Sequence, residues 1–194
     1  MNKIEETLRS YILPLTDLQI IDQNLIDYLC QKALFNKYLR GENIIKAGEL
    51  CEYILIIQKG FVRRYSLIEG LEITQEFAKE NEMITSMYSL VTNLPSLDYI
   101  EAIENSEIIK LKFKDLEKIQ EISKQAFMIS RLLRDKYFLN LEKRILSFQL
   151  SSAKDRYNEV LEKKPYLLQR APLNQIASYL GITQETLSRI RNKR

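Results

Sequence analysis

Histidine is missing altogether from these 194 residues, and cysteine occurs only as Cys30 and Cys51. Without imidazole, the common zinc sites and histidine-based acid–base catalysis fall away. The same absence removes the usual metal ligands of a cupin-like barrel enzyme. Two thiols build neither a disulfide framework nor a four-thiolate iron–sulfur site within one chain. Isolated cysteines are usually buried structural residues and sense oxidation only where exposed. Long apolar stretches are lacking too: none approaches the ~18–20 residues that cross a bilayer. The opening Met1-Asn2-Lys3-Ile4-Glu5-Glu6 has no charged-then-apolar export pattern. These absences predict a cytoplasmic, non-enzymatic chain with no metal, no cofactor and no membrane segment.

What is present is arranged unevenly. Residues 1–140 hold 18 Lys and Arg against 21 Asp and Glu, whereas residues 141–194 hold 11 against 5. The bases Arg170, Arg189, Arg191, Lys193 and Arg194 crowd the end, where Glu185 is the one acid. Such asymmetry fits a polyanion-binding segment or, equally, a basic solvated tail.

Texture divides the chain into three. Residues 1–33 read as helical, with Ile4, Leu8, Tyr11 and Ile12 on one face, Leu25, Ile26 and Leu29 on another, and Pro14 between. Residues 34–113 read as short strands: 53–57, 61–65, 72–77, 99–103 and 107–113, a spacing that predicts a small sandwich or barrel. Gly41, Gly48, Gly60 and Gly70 all fall between these runs. Residues 115–194 read as helical, with Asp115 as N-cap candidate. Ile122, Ala126, Ile129 and Leu133 recur at spacings of 4, 3 and 4. That stripe suits a coiled-coil seam between two copies, the favoured reading, or a helix lying on its own domain.

The segment 173–191 carries the chemistry. Leu173, Ile176, Ala177 and Leu180 make a helical face that stops at Gly181, a residue suited to a left-handed helix end. Thr183 is placed to cap a second helix, with Glu185 in its first turn and Leu187 and Ile190 facing inward. Small Ala177 permits close crossing. The pattern is a helix-turn-helix. Its second helix presents Gln184, Glu185, Ser188, Arg189 and Asn192 outward, residue types that hydrogen-bond base edges in a major groove.

These residues, with Gly41-Glu42-Asn43-Ile44-Ile45-Lys46-Ala47-Gly48-Glu49 and the strand pair 53–63, resemble the Crp/Fnr superfamily of transcription regulators along nearly the whole chain. The resemblance implies an α+β architecture. A cyclic-nucleotide-binding-like, jelly-roll-like β-roll would occupy 1–114, a dimerisation helix 115–140, and a helix-turn-helix domain 141–194. Little or no wing is expected, since the chain stops at Arg194. It also implies a homodimer on a palindromic site in double-stranded DNA, acting on RNA polymerase. Within Glu185-Thr186-Leu187-Ser188-Arg189, it makes Glu185, Ser188 and Arg189 the base readers, with Gln184 beside them. Thr183, Arg170, Arg191 and Lys193 join them as expected DNA contacts.

The chain departs from the family's nucleotide-gripping pattern. Asn81-Glu82 stands where a Gly-Glu pair is expected, and Ser96 where a phosphate-binding Arg is expected. Asp98 lies close by, and no arginine occurs between Arg64 and Arg131. A buried phosphate beside a carboxylate and without a cation is poorly held. Dependence on cAMP or cGMP is therefore not expected, although a cyclic-nucleotide-responsive regulator is the alternative. Glu82, Ser96 and Tyr99 are the candidate contacts for any small-molecule effector. Another alternative is a β-roll interaction module whose helical tail contacts protein alone.

Overall fold

The computed structural model describes residues 3–16 and 20–192. Two short helices open the chain, α1 (Lys3–Ile12) and α2 (Gln23–Lys32). The Asp22 carboxylate accepts the Asn24 N–H at 2.9 Å and so caps α2. Strands β1 (Leu34–Tyr38), β2 (Asn43–Ile45), β3 (Tyr53–Lys59), β4 (Val62–Ile68), β5 (Leu71–Ala78) and β6 (Met83–Ile84) follow. After α3 (Met87–Thr92) come β7 (Tyr99–Ala102) and β8 (Ser106–Lys112). The rest is helical: α4 (Phe113–Ile122), α5 (Lys124–Leu150), α6 (Ala153–Lys163), α7 (Tyr166–Arg170), α8 (Leu173–Leu180) and α9 (Gln184–Asn192).

The strands form two four-stranded sheets, ordered β1-β8-β3-β6 and β2-β7-β4-β5. The short, evenly spaced strands thus form a small two-sheet roll, the β-roll that the resemblance implies. In the first sheet β8 pairs antiparallel with both neighbours, with Ile109 opposite Phe35 on β1 and Ile56 on β3. Side chains alternate across a strand, so β3 serves two cores. Leu55 and Ile57 enter one with Val62, Ile84, Ile100 and Ile108. Ile56 enters the other with Leu8, Ile12, Leu25, Ile26 and Leu29 from the helices. Coverage on both faces explains why 53–57 is almost continuously apolar. Each such buried side chain contributes about 1.5–3 kcal/mol.

The chain forms two compact units, Met1–Arg64 with Phe77–Lys136, and Tyr65–Glu76 with Tyr137–Arg194. The helical start at Asp115 is corrected to Phe113, because Lys112 keeps extended backbone and Asp115 falls inside the first turn. The expected seam residues Ile122, Ala126, Ile129 and Leu133 fall on two helices. Ala126 and Ile129 are buried in the first unit's own core, and Leu133 packs against it. Ile122 does not share their helix: α4 ends there, and it is 80% exposed. The Ser123 hydroxyl accepts the Ala126 N–H at 3.2 Å, starting α5 afresh. The apolar stripe thus covers its own domain.

Candidate nucleic-acid interface

The helix-turn-helix is built as the residues prescribe. Ile176, Ala177 and Leu180 of α8 are buried, as is Leu187 of α9. Gly181 ends α8 in the left-handed region at φ 66°. Its N–H reaches Ser178 O at 3.0 Å, and Ile182 N–H reaches Ala177 O at 3.0 Å. Crossed bonds of this kind satisfy the orphan carbonyls of a helix end. A Cβ at Gly181 would stand 2.6 Å from Phe148 Cε1. The Thr183 hydroxyl then accepts the Thr186 N–H at 3.2 Å, capping α9.

The capping Thr183 is exposed, as are Gln184, Glu185, Ser188, Arg189, Arg191 and Asn192 on α9. The Arg189 guanidinium is steadied by donating to the Thr186 hydroxyl at 3.1 Å. Arg170 closes α7 and is half-buried, so it is less available than the α9 bases. Lys193 lies outside the described residues.

Much of the C-terminal positive charge is engaged internally. Arg144 lies over Phe148 and Tyr179, at 4.9 and 4.5 Å from the ring centroids. Arg156 lies over Phe148 at 5.1 Å and donates to Leu180 O at 3.0 Å, capping α8 from outside. Lys164 donates to the Tyr179 hydroxyl at 3.1 Å. These side chains are cation–π packing for the domain. Nothing in their sequence spacing marks them as different from a solvated basic surface.

The β-roll residues separate. Glu82 closes the β5–β6 turn, where Asn81 has φ 61° and the Glu82 carboxylate accepts the Lys79 N–H at 3.0 Å. Ser96 is buried and meets Ser86, hydroxyl to hydroxyl, at 2.9 Å. Ser86, missed in the sequence, therefore faces Ser96, while Glu82 serves the turn. Tyr99 begins β7, half-buried. Arg64, from β4, reaches Asp98 at 3.1 Å, and both side chains are about nine-tenths buried. A cation does enter this region, but already paired with a carboxylate. Next to it, the buried Arg63 pairs with Glu101 at 2.7 Å. Among the described residues, no group of three or more metal-ligating side chains converges.

Residues 35–123 match the cyclic nucleotide-binding domain family. The chain is 22% identical over 203 residues to the transcriptional activator protein FnrA of Stutzerimonas stutzeri, covering 95% of this chain and 78% of that protein. It shares the fold of FixK2 from Bradyrhizobium japonicum, with a TM-score of 0.68, 23% identity and 83% of each chain covered. It also shares the fold of the c-di-GMP-responsive global regulator CLP of Xanthomonas campestris, with a TM-score of 0.69, 15% identity, and 89% and 91% coverage.

Proposed function

We propose that the chain is a transcription regulator of the Crp/Fnr type and that it reads a palindromic operator as a homodimer through α9. The observation that carries this reading is the capped α9, whose outward face is entirely polar and exposed. Gln184, Glu185, Ser188 and Arg189 read base edges there, while Thr183 and Arg191 contact phosphates. Two copies would place their α9 helices in successive major grooves, roughly 34 Å apart. DNA held in this way acts on RNA polymerase in the cytoplasm.

The face for the second copy differs from the stripe that covers the roll. In the second unit, Phe138, Leu141 and Ile145 follow one another at spacings of 3 and 4 on α5. They are 66%, 39% and 56% exposed. A helix seam needs such a repeat.

The reading includes independence from cyclic nucleotides. Ser86 and Ser96 supply hydroxyls, not a cation, and Asp98 occupies Arg64. A cyclic phosphate entering here would have to displace a buried carboxylate from its partner.

Selection of genomic fragments by the purified protein, with no ligand added and at moderate salt, tests the reading. Enrichment of a palindrome supports it. Weak, sequence-blind retention would leave only a basic surface.

A further inference from the structure

The second unit contains an unusual join. Its segment Tyr65–Glu76 is the tip of the β4–β5 hairpin, turned at Glu69-Gly70, both in the left-handed region. β5 ends its sheet, so among the described residues one of its edges has no neighbouring strand. The Ser178 hydroxyl, on α8, sits on that edge. It accepts the Thr74 N–H at 2.9 Å and donates to Glu72 O at 2.8 Å. One hydroxyl thereby does what a neighbouring peptide group would do for two backbone groups. Arg144 adds a second tie, donating to Thr74 O at 3.3 Å and to Tyr179 O at 3.2 Å. Thr74 is fully buried, so loss of the Ser178 hydroxyl takes a partner from a buried N–H.

The join is mainly polar. A permanent junction would bury the large apolar residues of the hairpin, yet Leu67, Ile68 and Leu71 are each more than half exposed. A contact held by polar groups, with these apolar side chains left outside it, is of the kind that opens readily.

We propose that Ser178 is a releasable catch between the β4–β5 hairpin tip and the first helix of the helix-turn-helix, and that closing it raises DNA affinity. The catch rests on the DNA-binding reading above. A closed catch orders α8 before DNA arrives, which lowers the ordering cost of binding. Ser178 is a positioning residue; it faces the hairpin, and α9 meets the DNA.

The test uses the full chain with Ser178→Ala and Ser178→Thr. Amide exchange over 71–77 is followed by mass spectrometry, and binding to the palindrome enriched by the wild type is followed by fluorescence anisotropy. Ser178→Ala is expected to speed Thr74 exchange at least tenfold and to weaken binding about fivefold. Ser178→Thr, which keeps the hydroxyl, is expected to restore both. Unchanged exchange in Ser178→Ala would overturn the catch. Faster exchange with unchanged binding would overturn its role in DNA affinity. A wild type that enriches no DNA would sink the DNA-binding reading and with it this role, while the exchange arm would still decide whether the catch exists.

Discussion

At the scale of single residues, two positions in the helix-turn-helix carry the sharpest expectations. Gly181 was marked by its place after Leu180, and its φ of 66° confirms a site that resists side chains. Gly181→Ala is expected to cost about 1–2 kcal/mol of stability from the left-handed backbone alone. Rotation of Phe148 decides how much the 2.6 Å approach adds. Thermal melting checks this, and an unchanged melting temperature would count against a strained turn. Arg189→Ala is expected to lose about 1–3 kcal/mol of discrimination between operator and scrambled duplex. Competition binding reads that ratio directly, and a wild-type ratio would remove Arg189 from the base-reading set. The roll was less legible at this scale. Glu82 was a candidate ligand acid through its place at the family's Gly-Glu position and, more readily, a hairpin acid; the left-handed Asn81 and the bond to Lys79 N–H give it a turn role. Ser86 gave no signal, since a serine facing Ser96 across ten residues is set by tertiary folding.

At the scale of elements, periodicity found helices and strands but did not say which face each helix turns to what. The repeat at 122, 126, 129 and 133 suited a seam, the favoured reading, and a domain-facing stripe as well, because both want apolar residues every three to four positions. The helix break at Ser123 puts Ile122 on α4 and lets Ala126 and Ile129 reach the first unit's core. The start of α5 was readable in principle, since Ser123 precedes Lys124-Gln125-Ala126 as a capping residue would. β1 and β2 were the hardest strands to see. β1 exposes Leu34 through Lys37, so no clean alternation marks it. If Phe138, Leu141 and Ile145 hold two copies together, charge placed among them breaks the pair. Phe138→Glu with Ile145→Glu is expected to yield a monomer in sedimentation velocity at micromolar concentration. It should also weaken operator binding by more than tenfold, since two half-sites would be occupied separately. A dimer surviving both substitutions would place the interface elsewhere.

At the scale of the whole molecule, sensing and charge follow from how side chains are already occupied. With Arg64 held by Asp98, calorimetry with cAMP and cGMP is expected to show no micromolar binding. Saturable heats would restore the nucleotide-responsive alternative. Charge gives the last expectation. The excess of 11 bases over 5 acids in residues 141–194 suggested a strongly cationic surface. Packing removes Arg144, Arg156 and Lys164 from that surface, since each is bound to a ring or a carbonyl. Of the eight bases that remain, Arg191, Lys193 and Arg194 stand at the sequence end of α9 and are the proposed phosphate partners of each copy. Six phosphates per dimer give a slope of log affinity against log salt of about −5. A slope steeper than about −9 would mean that further bases of residues 141–194, Arg170 among them, also meet phosphates. A slope near zero would mean that phosphates are not contacted at all. The intermediate value is the one that follows if a modest electrostatic hold lets the polar face of α9 do the discriminating.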